Sequence, residues 1–196
     1  MKFYIAIIGF FICVPFFAQE NWTLKKDKDE IQIYTKTTDS SKIKAYKAMM
    51  TVKSSLDKVK NVIIDGNQLY TWNYKAIDSK LLQKKSENEY LIWMALDLPW
   101  PIRNRDVVIY LQIKRITSEI LLITVSSAPN AYEELDEYLR ITEFEGYWLL
   151  EEKGEEVTIT HQMHGDPGGN VPSWFVNTTI TRAPYYNFLA LRERIE

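Results

Sequence analysis

The sequence predicts an α+β domain whose helices cover one face of a curved antiparallel sheet. Three observations predict it. Alternating apolar and polar segments recur from Ile31 to Met163, joined by turn chemistry rather than by crossover-length helices. One helical insertion, Leu56 to Ile63, interrupts them after the second segment. An aromatic-rich helical pattern, Ser173 to Glu196, closes the chain.

Residues 1–18 read as a leader and are set aside first. Lys2 is their only charge, and the apolar run from Phe3 to Ala18 is short for a membrane span but fits a secretory signal. Cleavage is expected between Ala18 and Gln19, with an uncleaved anchor as the alternative. The protein is therefore expected to be exported, to the periplasm or beyond the cell, as a single domain over 19–196. The only cysteine, Cys13, leaves with the leader, so no disulfide supports the remaining core. Ile12 stands where a lipoprotein signal needs a small residue. The 178 residues after Ala18 suffice for one domain with a sizeable core.

Without Lys2 the chain carries 23 basic and 26 acidic residues, a net charge of −3. No basic block is present, which excludes the electrostatic footprint of a nucleic-acid binder. The sign also disfavours strong attraction to anionic membrane surfaces, leaving only transient membrane contact. Acidic clusters such as Glu133-Glu134-Leu135-Asp136-Glu137 lack EF-hand spacing and read as a solvated face.

The elements follow in order. Ile31 to Thr35 alternates as a short strand, and Ile43 to Val52 as a second. Ser54 or Ser55 caps the helix carrying Leu56, Val59, Val62 and Ile63, which Asp65-Gly66-Asn67 ends. Leu69 to Tyr74 reads as a further helical turn. Strands are then expected at Ala76–Lys84, Tyr90–Leu98, Asp106–Ile116, Ile120–Val125, Leu139–Leu150 and Glu156–Met163. In the last segment Pro184 should kink the helix or split it in two.

Between the last strand and that helix lies Asp166-Pro167-Gly168-Gly169-Asn170-Val171-Pro172-Ser173-Trp174. Two glycines permit φ > 0, and Pro172 suits the start of a helix. Such a corner serves as a hinge. Pro99-Trp100-Pro101-Ile102-Arg103-Asn104-Arg105-Asp106 reads as a rigid turn with Trp100 packed on it and a tied Arg105–Asp106 charge pair.

Catalytic candidates are few. Only His161 and His164 offer imidazoles, and three positions apart on a strand they face opposite ways, so they share no metal. No serine elbow or phosphate loop is present. His161 shares a face with Val157, Ile159 and Met163. It reads either as a hydrogen-bonded structural histidine or as a ligand contact.

Several short stretches together resemble one family. They are Trp22-Thr23-Leu24-Lys25-Lys26-Asp27, Ile31-Gln32-Ile33-Tyr34-Thr35-Lys36, Trp72-Asn73, Pro99-Trp100-Pro101 with Arg105-Asp106, Gly146-Tyr147-Trp148-Leu149-Leu150, and the Asp166–Trp174 corner. In this order and spacing, Trp22 to about Arg192 resembles the START domain, the lipid-transfer module of the helix-grip superfamily. The resemblance implies a curved antiparallel β-sheet wrapped around a long C-terminal helix, with an internal hydrophobic cavity between them. It implies one lipid-sized molecule in that cavity under a lid formed by the helix. The family's N-terminal helix is missing. The faces Tyr90/Ile92/Met94/Leu96 and Val107/Ile109/Leu111/Ile113 are apolar, which argues against sterol specificity.

On this resemblance the chain is expected to bind a lipid or other hydrophobic molecule as a monomer, without cofactor, metal or catalysis. The expected contacts are Trp72, Met94, Ile109, Leu111, Arg140, Trp148, His161, Met163, Trp174, Phe175 and Phe188. Arg140 would serve a headgroup if it shares a face with Phe144 and Trp148. Pointing outward, it would pair with nearby glutamates instead. The rival readings are a cyclase-like or hydrolase-like helix-grip enzyme using His161, and an interaction module with a filled core.

Overall fold

The computed structural model describes residues 21–196; the expected leader, its cleavage point and Cys13 lie outside the described residues. The strands are β1 (Thr23–Lys28), β2 (Ile31–Lys36), β3 (Ala45–Lys53), β4 (Ala76–Ser86), β5 (Glu89–Leu96), β6 (Arg105–Arg115), β7 (Ile120–Ser127), β8 (Leu139–Ile141), β9 (Glu143–Lys153) and β10 (Glu156–Asp166). The helices are α1 (Leu56–Ile64), α2 (Ser173–Thr179) and α3 (Arg182–Ile195). All ten strands join one sheet in the order β1-β2-β3-β10-β9-β7-β6-β5-β4, with β8 beside β6. Every pairing is antiparallel except the short parallel one of β8 with β6.

The inner face of this sheet carries the main core. Ile33 on β2 stands opposite Ala48 on β3, and Met50 opposite Ile159 on β10, so period-two alternation stacks apolar rows across strands. The inner set on β3 is Tyr46, Ala48, Met50 and Val52. Against these rows pack Leu56, Val59 and Ile63 of α1 and Tyr185, Phe188, Leu191 and Ile195 of α3. Their spacing presents one apolar stripe per helix.

Local chemistry sets the boundaries. Ser55 caps α1, its hydroxyl accepting from the Lys58 N–H at 3.4 Å. The C-terminal helical pattern is split, as Pro184 suggests, with the break at Ile180 and Thr181. Pro184 sits in the first turn of α3, where a missing N–H leaves no carbonyl unpaired.

Three expectations are corrected. A first strand, β1, precedes Ile31; its exposed, Lys-rich sequence carries no apolar alternation. It turns into β2 through Asp29 and Glu30, both with positive φ (52° and 57°). The expected strand Leu139–Leu150 is two strands, because β8 pairs with β6 and β9 moves across to β7. Arg105 and Asp106 do not pair with one another. As strand neighbours they point to opposite faces and serve separate sites.

Asp106 organises the outer face. Its carboxylate accepts from Arg140 Nε at 2.9 Å, Arg140 Nη2 at 2.7 Å and Trp93 Nε1 at 2.9 Å, all among buried groups. Arg140 also donates to the carbonyls of Pro129, Tyr132 and Glu133. These bonds clamp the 128–138 segment over Leu91, Trp93, Ala95 and Val108. Strand β5 is therefore buried on both faces.

Arg140→Met strands a buried carboxylate and should cost about 3–5 kcal/mol in urea unfolding. Adding Asp106→Leu should restore part of that stability. Equal stability of wild type and single variant would contradict the assignment.

Candidate functional site

Between the inner sheet face and the two C-terminal helices lies a cavity of about 460 Å³, within the range of small-molecule sites. Strands β5 and β6 supply Met94, Val107, Ile109 and Leu111; β9 supplies Trp148; β10 supplies His161 and Met163. Helices α2 and α3 contribute Val176, Thr179, Ala183, Pro184 and Asn187. Only two formally charged residues, Lys44 and Asp166, line it among the described residues. Both sit at the end nearest α2, where β3 begins and β10 ends.

An aromatic stack forms one wall. Trp148 and His161 are directly opposite on β9 and β10, and that register lays their rings parallel at 3.6 Å and 4°. Phe188 of α3 lies behind Trp148 at 6.0 Å, and Trp72 meets Trp148 edge-on at 6.2 Å. The Tyr46 hydroxyl is 3.3 Å from His161 Nδ1. Burial lowers the His161 imidazole to about 3, so it is neutral at ordinary pH, and burial raises the Tyr46 phenol. The indole N–H of buried Trp72 has no hydrogen-bond partner.

The two helices are held very differently. Helix α3 buries Pro184, Tyr185, Asn187, Phe188, Leu191 and Ile195. Tyr185 donates to Asp29, with Lys26 Nζ 3.4 Å above its ring. Ser54 Oγ donates to the Ile195 carbonyl at 2.9 Å, and Asn187 Oδ1 accepts from the Tyr74 N–H at 2.6 Å. Helix α2 buries no residue. Its polar tie to the sheet is Asn177, whose amide accepts from Lys44 N–H and donates to the Lys42 carbonyl, both at 2.9 Å.

The corner before α2 is anchored as well as turned. Gly168 and Gly169 take φ of 71° and 69°, conformations that favour glycine. Arg105 donates to the carbonyls of Pro167 and Gly168, each at 3.1 Å, fixing the corner to the start of β6.

Of the residues expected at the ligand, Trp72, Met94, Ile109, Leu111, Trp148, His161 and Met163 line the cavity. Phe188 is fully buried behind Trp148. Arg140 does not line it: Asp106 and three carbonyls hold its guanidinium on the outer face, so neither the headgroup reading nor the glutamate pairing stands. Trp174 and Phe175 also lie off the cavity lining; Trp174 is 68% exposed, because α2 turns Val176 and Thr179 inward instead. Trp100 extends into solvent, 92% exposed, rather than packing on its turn. Tyr46 and Asn187 were not anticipated. Tyr46 follows from the β3 register, and Asn187 from its place four residues before Leu191 on the buried stripe of α3.

The START domain family model matches residues 17–184. An uncharacterized protein of Pseudomonas aeruginosa is 29% identical over 178 residues, 90% of this chain and 88% of its own. The phosphatidylcholine transfer protein of Bos taurus is 23% identical over 163 residues, 80% of this chain and 75% of its own. The crystal structure of a STAR-related lipid transfer protein fragment from Xanthomonas axonopodis superposes with a TM-score of 0.83 at 28% identity. It covers 88% of this chain and 97% of that one.

Neutral, buried His161 makes acid destabilising. Its pKa is lower in the folded than in the unfolded chain, so stability present above pH 6.5 is lost as pH falls toward 3. Wild type should lose up to about 1 kcal/mol per pH unit more than His161→Gln between pH 6.5 and 5. Parallel stability curves would contradict this.

Proposed function

The chain belongs to the START domain family, and on that premise we propose that it holds one lipid-sized hydrophobic molecule in its cavity, without reacting with it. The carrying observation is an apolar-walled 460 Å³ cavity roofed by two helices, one anchored and one barely attached. Burying a few hundred Å² of ligand surface at roughly 25 cal/mol per Å² gives several kcal/mol before association costs.

Helix α2 is the lid. Its route of opening runs from Gly169 to the break at Ile180–Thr181, with Asn177 as the latch and α3 left in place. Trp100, on the loop between β5 and β6, and Trp174, in the first turn of α2, are exposed tryptophans on segments bordering the cavity; Leu98 and Val176 of the same segments line it. Amphipathic indoles suit a lipid–water interface, so these two are assigned to transient membrane contact during loading. Transfer of a lipid, which the name of the bovine relative states for that protein, fits this arrangement. On the strength of the leader expected at 1–18, we propose that the protein works outside the cytoplasm.

Catalysis is the less favoured reading. Of the two imidazoles lining the cavity, His161 is stacked and desolvated, and a group with a pKa near 3 is a weak general base, while His164 Nε2 lies 3.2 Å from the Ile43 carbonyl.

The delipidated protein should take up a fluorescent fatty acid or phospholipid and move it between vesicles. Asn177→Ala should speed release about fivefold, the equivalent of one hydrogen-bonded tie. Trp100→Ala with Trp174→Ala should slow transfer between vesicles while leaving uptake from solution unchanged. No uptake at saturating probe would sink the binding reading, and unimpaired transfer by the double variant would sink the membrane role.

A further inference from the structure

We propose that the stacked Trp148–His161 pair is the polar contact point of the cavity, offering Trp148 Nε1–H and His161 Nε2–H to an acceptor oxygen of the bound molecule, with Tyr46 fixing the His161 tautomer. This rests on the lipid-binding reading above and names the group recognised: an ester, amide or hydroxyl oxygen rather than bare hydrocarbon.

Both residues line the cavity from directly opposite positions on β9 and β10, and each is buried, at 5% and 6% exposure. Among the described residues, neither Trp148 Nε1 nor His161 Nε2 has a hydrogen-bond partner, yet the one unpartnered side-chain nitrogen or oxygen sealed from a water-sized sphere is Trp72 Nε1. Space large enough for a water molecule therefore touches both nitrogens. Side chains stand out from a strand, and Nε2 is on the ring edge farthest from Cβ, so it points inward, away from the sheet. His161 covers one face of the Trp148 ring and Phe188 the other, which leaves the indole its edge to present.

The bond between Tyr46 and His161 decides which nitrogen carries the ring proton. Burial lowers the His161 imidazole to about 3 and raises the Tyr46 phenol, so both groups are neutral. The Tyr46 hydroxyl has one partner, His161 Nδ1 at 3.3 Å. It satisfies its proton by donating to Nδ1, which places the single imidazole proton on Nε2. The opposite tautomer leaves the phenol proton without an acceptor. This wall therefore carries two uncharged donors and no protein acceptor for either. An occupant with an oxygen at that depth satisfies them; a hydrocarbon that displaces water from them leaves both unmade, which is unfavourable.

The test measures methyl laurate and pentadecane by displacement of pyrenedodecanoic acid from delipidated protein. His161→Phe, which keeps an aromatic ring against Trp148, should weaken methyl laurate about fivefold and leave pentadecane unchanged, which also reports that the variant is folded. In the wild type, the ring nitrogen resonances of His161 should show Nε2 protonated and Nδ1 bare, and Tyr46→Phe should turn this into a mixture of tautomers. The wild-type Trp148 indole proton should move downfield with methyl laurate and stay put with pentadecane. Unchanged binding by His161→Phe, equal weakening of both competitors, a wild-type ring protonated at Nδ1, or an indole resonance indifferent to methyl laurate overturns the donor assignment alone. A Tyr46→Phe ring still protonated only at Nε2 overturns the part given to Tyr46. Failure of the wild type to bind the probe and both competitors overturns the lipid-binding reading itself, and this one with it.

Discussion

The constraint on which the molecule turns is the size of its inner apolar face. Ten strands curve around more hydrophobic surface than α1 and α3 cover. Those two helices bury Leu56, Val59, Ile63, Phe188, Leu191 and Ile195 in the main core, α3 against β2 and β3 and α1 against α3 and β9. Between Met94, Val107 and Ile109 and the roof formed by α2 and the first turns of α3, a cavity remains. Exposed apolar surface of that extent is unfavourable in water. A molecule filling the space would stabilise the folded chain by mass action.

Two adjacent residues on β6 divide the labour of holding this arrangement. Arg105 fixes the corner that launches α2, and Asp106 holds Arg140 and the segment covering the outer face. Strand alternation sends the two side chains in opposite directions. The rigid parts of the site are thus tied to the sheet, whereas α2 is joined to the sheet edge through the Asn177 amide. Regions with few buried contacts open at low free energy, which is what a lid requires.

Much of this was legible in the residues. The apolar faces of β5, β6 and β10 follow from period-two alternation, the start of α1 from Ser55, the helix break from Pro184 and the corner from Gly168-Gly169. The illegible parts have physical reasons. β1 is a polar edge strand with nothing to bury on its own account. The step from β8 to β9 is a change of partner, which leaves no mark on alternation. Arg140 has the same sequence appearance whether it meets a ligand or Asp106, since only the sheet pairing of Asp106 with Arg140 brings the two together. Trp174 and Phe175 look like core aromatics, but a seven-residue helix presents only a narrow inner side, and Val176 and Thr179 take it.

His161 illustrates how one residue supports two chemistries on paper and one in place. Stacked on Trp148 and held by Tyr46, it is a neutral wall element of a mostly apolar cavity. The central claim is that this cavity carries a lipid. Native mass spectrometry of the folded protein, purified from its own host without detergent, tests it most directly. The account predicts one hydrophobic molecule per chain, released intact on activation. A folded population consisting only of the bare chain would contradict it.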